Sequence, residues 1–252
     1  MTPESSSQPL LFSQSRLEYV DVENMDLPRT NADGVDVIDP TPEQKYLFDT
    51  QGWLLIPGLL DESDVRQMRA YCEQLHSDPE SLPESQRSPV AGPLEKLADH
   101  PFIVGFMNEF LANPDLTSQD CYGFRMESTS LCVRSEGEGS FGPHNGNGLW
   151  RMPGDSHHYR CVPGKARSGL TCVVWELNEV EHGGGGTLFV DGSHKSAFVP
   201  PVDNPPVAMA CEETLASLLP TLRARSEGHW VGFWFGGPYR TKGSDGQAAP
   251  GL

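Results

Sequence analysis

The amino-acid sequence predicts an α+β chain whose main body is β, with its helices gathered in the N-terminal part. Three observations lead there. Twenty-six Gly and 22 Pro among 252 residues supply turn punctuation that suits short strands better than a helical bundle. Helical periodicity is confined to the stretch before residue 112, whereas candidate strands follow one another from residue 122 with no helical pattern until about residue 212. Helices first and sequential strands second point to a β-sandwich or barrel with flanking helices.

Each element has a local reason. Residues 1–40 are rich in Ser, Pro, Asp and Asn and lack periodic hydrophobicity, so they are expected to form a loosely draped leader. A single domain over residues 41–252 follows, long enough to bury one sizeable core. Thr41 can N-cap a helix with Pro42 at its first position, and Gly52 would end it. That helix should carry Tyr46, Leu47 and Phe48 toward the core. The apolar run at 53–56, closed by Pro57 and Gly58, reads as a buried strand. Asp61 or Ser63 opens a second helix in which Val65, Met68, Tyr71, Cys72 and Leu75 form one apolar stripe. A polar loop occupies 77–93, and Pro101 should split a helical stretch at 94–112 into two. Strands are expected at 122–126, 130–134, 170–177, 187–190 and 230–235.

Composition excludes several classes. A formal net charge of -17 leaves no basic stripe to neutralise phosphates and no attraction to an anionic membrane surface, so neither nucleic acid nor membrane is expected as a partner. No apolar run reaches the roughly 18 residues of a membrane span. The first ten residues (MTPESSSQPL) lack both the basic and the apolar region of a secretory signal. A cytoplasmic setting with reduced thiols at Cys72, Cys121, Cys132, Cys161, Cys172 and Cys211 is the expectation. No two of these form a C-x-x-C pair, which argues against structural zinc. A Gly-x-Ser-x-Gly nucleophile motif is missing, and the glycine run at 183–186 is followed by no Gly-Lys-Ser/Thr. That run, with His182 before it, reads as a hairpin.

Two long stretches resemble one family. Residues 41–75 (TPEQKYLFDTQGWLLIPGLLDESDVRQMRAYCEQL) are similar to the opening of the phytanoyl-CoA dioxygenase-like family. There a helix with a Phe-x-x-x-Gly step leads into a strand, then Pro-Gly-Leu-Leu-Asp, then a helix. Residues 169–196 (GLTCVVWELNEVEHGGGGTLFVDGSHKS) resemble that family's strand, acidic turn, glycine-rich hairpin and Gly-Ser-His-Lys signature. Residues 100–114 are similar to its helix before the barrel. The resemblance covers roughly residues 41–200. It implies a double-stranded β-helix (jelly roll, cupin-like) with N-terminal flanking helices. It also implies Fe(II), 2-oxoglutarate and dioxygen as co-substrates, and hydroxylation of a small organic molecule.

Non-haem iron oxygenases of this kind hold Fe(II) with two His and one carboxylate, leaving open positions for co-substrate and oxygen. The resemblance places the proximal His at His144, within FGPHNGNG, and the distal His at His229. It places the arginine that clamps the 2-oxoglutarate carboxylate at Arg240, eleven residues further on. The position of the carboxylate ligand holds Gly146. Three readings of this departure stay open. Water or an anion fills the vacancy, as in the halogenases of this class; Asp155 supplies a carboxylate; or the site no longer supports oxygenation and the chain is a jelly-roll binding module. Residues 223–228 are polar where the family has an apolar strand, and the tail after Arg240 is rich in Gly, Ala and Pro. An incomplete C-terminus would account for this loss of pattern, as would a shift of reading frame near Arg225. His157 and His158 are adjacent and so diverge on most backbones. His194 belongs to the signature and reads as a structural turn near the pocket. Trp175 reads as core. Arg125, Arg134 and Arg160 could face an anionic substrate, with a solvated surface role as the alternative.

Overall fold

The computed structural model of the chain describes residues 27–113, 116–118, 121–134, 159–178, 189–196 and 228–236. α1 (Pro42–Gln51) begins as its sequence dictates. The Thr41 hydroxyl accepts from the Gln44 amide while Gln44 Oε1 accepts from the Thr41 amide at 2.8 Å, closing a capping box. Gly52, at φ +88°, ends the helix. Of the three residues expected to face inward, only Phe48 is buried, and Tyr46 is 68% exposed. The Phe48 ring packs against Phe106 and Phe110, with centroids 4.8 and 4.7 Å away.

Residues 53–56 are not the expected strand. They run half-buried outside the described sheets, with Leu54 and Ile56 packed against the helical core. A short apolar run announces burial and not the partner that provides it, and here packing replaces a ladder. α2 (Glu62–Ser77) starts at Asp61, whose Oδ1 accepts from the Asp64 amide at 2.8 Å. Its stripe buries Met68, Tyr71 and Cys72. Short 3-10 turns shape the polar loop after it. Pro101 does divide the next helical stretch, into α3 (Glu95–Ala98) and α4 (Pro101–Phe110). His100 caps α4 through Nδ1, which accepts from the Phe102 amide at 3.2 Å.

Between residues 102 and 110 of α4 every side chain except Glu109 is buried. A helix apolar all round needs cover on all sides, and residues 27–40 provide part of it. They were expected to drape loosely and are instead tied down. Ile38 N donates to Pro101 O (3.2 Å), Asn108 Nδ2 to Pro28 O (2.9 Å) and Ala32 N to Asp99 Oδ2 (3.0 Å). Their polar composition concealed this, because the attachments run largely through backbone groups.

The β region contains a three-stranded antiparallel sheet ordered β3 (Arg125–Arg134), β7 (Gly228–Gly236), β6 (Leu170–Glu176). Two small antiparallel pairs accompany it, β1 (Thr117–Ser118) with β2 (Cys121–Tyr122) and β4 (Arg160–Val162) with β5 (Lys165–Arg167). β3 merges most of two expected strands, and the first residues of 122–126 are cut off by a turn at Gly123. The strand expected at 230–235 is β7, longer than foreseen and central in its sheet. Of the strand expected at 187–190 only residues 189–190 are described. One sheet face meets the helices: Trp175 is 7% exposed within the core, and Leu131 and Val173 pack against it. Trp175 is core, as expected. No described helix is long and apolar enough to cross a membrane.

Candidate functional site

A cavity of about 370 Å³ lies between the helical layer and β6. Its apolar wall includes Leu54, Leu60, Phe106, Val173 and Trp175, while Tyr159, Cys172, Glu176 and His194 contribute polar groups. Thr171 and Trp175 are buried, whereas Cys172 and Glu176 occupy the other row of the pleat. Burial pushes the Glu176 carboxyl up to about 8, so it holds its proton in the neutral range.

At one end of the cavity the Gly-Ser-His-Lys turn is fastened to the last turn of α1. Gly192 N donates to Gln51 O at 2.8 Å, and His194 Nε2 lies 3.0 Å from Asp49 O. Since a carbonyl only accepts, Nε2 carries the proton in this contact. Burial also holds His194 below the usual histidine value. Its ring meets Tyr159 edge-on, with centroids 4.6 Å apart at 83°. Asp49 accepts from Tyr159 Oη (2.7 Å) and from Lys195 Nζ (2.8 Å). Burial works against the Asp49 anion, but these two donors prevail and hold its carboxyl below the usual range. Burial and Asp49 together push the Tyr159 hydroxyl upward. Trp53 completes the clip: its indole N–H donates to Asp191 Oδ1 at 2.6 Å while its ring stacks on Phe189 at 5.9 Å. His194 is therefore a packing residue at the cavity margin, as its signature suggested.

Asp49, Tyr159, Trp53 and Glu176 were not singled out by the sequence. Asp49 offered one signal, because an acid in the last turn of a helix opposes the helix dipole and implies a tertiary partner. Glu176 offered another as the polar end of the apolar run LTCVVWE.

The residues expected to bind metal and co-substrate are placed only in part. His144 and Arg240 lie outside the described residues, as do Gly146, Asp155, His157, His158 and His182. The backbone of His229 is the second residue of β7, across from Val133, and the next residue, Trp230, stands across from Cys132 and Glu176. Arg125 is on the surface, 3.2 Å from Glu127, and Arg160 is exposed on β4. Among the described residues no group of three or more His, Cys, Asp or Glu could hold a metal ion.

No family model matches the chain, and no curated protein does. Solved structures do match. HygX from Streptomyces hygroscopicus with nickel, 2-oxoglutarate and hygromycin B bound superposes with a TM-score of 0.59 at 20% identity, over 83% of this chain and 95% of that one. The same protein with iron bound gives 0.58 at 19% identity, over 84% and 95%. With nickel and 2-oxoglutarate bound it gives 0.58 at 18% identity, over 84% and 96%. The chain shares the fold of HygX. The Fe(II) and 2-oxoglutarate expected from the sequence agree with what the HygX structures hold.

Proposed function

We propose that the chain is an Fe(II)- and 2-oxoglutarate-dependent oxygenase of the phytanoyl-CoA dioxygenase-like kind, built on a jelly roll, that hydroxylates a small organic molecule in the cytoplasm. The observation that carries this reading is the position of β7. It runs between β3 and β6, so the segment bearing His229 enters the middle of the sheet and Arg240 follows four residues after its end. The fold shared with HygX, solved with iron or with nickel and 2-oxoglutarate, supports it further.

His144 and His229 would hold the iron, since imidazole suits Fe(II). Gly146 leaves the third protein position to water, an anion or Asp155. Bound iron would supply the activation of dioxygen and 2-oxoglutarate that no side chain provides. The Arg240 guanidinium would take the oxoacid carboxylate through two parallel N–H donors and fix its orientation. Anaerobic Fe(II) titration, followed by an assay for succinate formed without substrate, tests the reading. His144→Ala should lose both signals, and a wild-type chain that binds no Fe(II) would refute it. Gly146 favours one second reading, a binding module on the same scaffold that retains ligand binding and forms no succinate; a halogenase-like variant would instead depend on chloride.

A further inference from the structure

The row of β6 that faces the helices, Thr171, Val173 and Trp175, closes one side of the cavity, and Phe48, Ile56 and Phe106 close the other. None of these side chains is ionisable, so this wall is neutral as well as largely apolar. Its polar groups share one property. Ser168 Oγ lies 2.9 Å from Leu170 O and must donate there, because a carbonyl only accepts. The proton between the two hydroxyls therefore comes from Thr171, whose Oγ1 donates to Ser168 Oγ at 2.9 Å. Tyr159 Oη spends its hydrogen on the Asp49 carboxylate, His194 Nε2 on Asp49 O and the Trp53 indole on Asp191. The Trp175 N–H and His194 Nδ1 are enclosed by protein. What the wall has left to offer is lone pairs. Ser168 and Thr171, 6% and 8% exposed, hold theirs away from bulk water.

We infer that this cavity binds a small neutral alcohol, its hydrocarbon body against Phe106 and Val173 and its hydroxyl donating to Thr171 Oγ1. A hydroxyl brings the free hydrogen that the wall lacks. An ether of the same size brings only another acceptor, so its oxygen and the Thr171 lone pair both lose water and gain nothing. An ionised ligand would leave its charge against a neutral, apolar surface, which is more costly still. The receiving pair is held in place by backbone as well as by its own bonds, since the Ser168 amide donates to Phe110 O at the end of α4 at 2.8 Å. The volume of about 370 Å³ lies within the range of small-molecule sites, about 300–1,000 Å³. The inference goes beyond the oxygenase reading, because the residues it uses are not the proposed metal or oxoacid residues and it needs no iron.

Titration of the full chain with 1-hexanol and with its isomer methyl pentyl ether tests it. The two differ in whether the oxygen carries a hydrogen and in little else. Binding is read by tryptophan fluorescence, which Trp53 and Trp175 on the wall tie to the cavity. Hexanol should bind about fivefold more tightly than the ether. Thr171→Val, which keeps the shape and removes the oxygen, should bring hexanol to the level of the ether and leave the ether unchanged. Thr171→Ser should keep the preference. Equal affinities in the wild type, tighter binding of the ether, a preference that survives Thr171→Val, or no binding of either compound would overturn the proposal. The wild-type comparison decides the matter even if a variant fails to fold. Loss of Fe(II) binding would leave it standing, just as a failed alcohol titration would leave the oxygenase reading standing.

Discussion

Gly52→Ala should destabilise the protein by about 3 kcal/mol, and Gly58→Ala by only about 1. Both glycines have left-handed backbone, at φ +88° and +71°. An L-residue forced into that region costs about 1–2 kcal/mol, and this is the whole effect expected at Gly58, where an added Cβ meets nothing within 4 Å. At Gly52 the same methyl group would overlap the His194 ring. That ring has little freedom to retreat, since Nε2 is engaged by Asp49 O and Tyr159 packs against its face or edge at 4.6 Å. Overpacking of this sort adds about 1–3 kcal/mol. Urea unfolding of wild type and both variants measures the difference, with unchanged slopes required for the comparison. If Gly52→Ala proves no more disruptive than Gly58→Ala, the clip between α1 and the Gly-Ser-His-Lys turn is not as tight as described.

Phe48→Ala should cost about 3–5 kcal/mol in the same assay, since the ring is buried among Phe106, Phe110 and Tyr159; a cost under about 1 would show that the aromatic cluster is not the core of the helical layer. Alkylation by iodoacetamide at pH 8, read by mass spectrometry, should modify the exposed Cys121 and Cys161 well before Cys72, which is buried and pushed up to about 11. Rapid labelling of Cys72 in the folded protein would contradict that burial. Lys45 and Lys165 hold the Glu109 carboxyl below its ordinary value of 4.5 against the opposing effect of burial, so this stabilisation is present above pH 4.5 and is lost as pH falls below it; Glu109→Gln should flatten the acid limb of a stability profile. Glu176 works in the opposite sense. Its carboxyl is raised from 4.5 to about 8, so its contribution is fully present below 4.5 and is lost as pH rises toward 8, and Glu176→Gln should flatten that side.

The helix boundaries were legible because their causes are local. Thr41, Pro42 and Gly52 mark α1 within one short stretch of chain, Asp61 opens α2, and Pro101 divides α3 from α4. Features set by distant partners were harder to read. Residues 53–56 advertise burial, which a strand and a packed extended segment provide equally well. The hold of residues 27–40 on α4 is made by Asp99, Asn108 and the backbone of Pro101, about 60 to 80 residues away in sequence. The polar run at 223–228 pointed away from a well-formed strand, yet β7 begins at its last residue and takes the centre of the sheet. In the candidate site, the structural part played by His194 could be read from its signature. The charge arrangement of Asp49, Tyr159 and Lys195 could not, because it joins side chains from three separate segments.

Glu109 is shared. Its carboxylate lies 2.6 Å from Lys45 Nζ and 3.0 Å from Lys165 Nζ, binding α1 and β5 to α4 at one point. One anion between two cations makes the joint lopsided in what it tolerates. Substituting either lysine leaves an intact pair, whereas neutralising the acid leaves two ammonium groups facing each other across a half-buried gap. Drift among relatives of this chain should therefore change the lysines freely and the glutamate seldom, and a design that moves this corner should relocate the acid first.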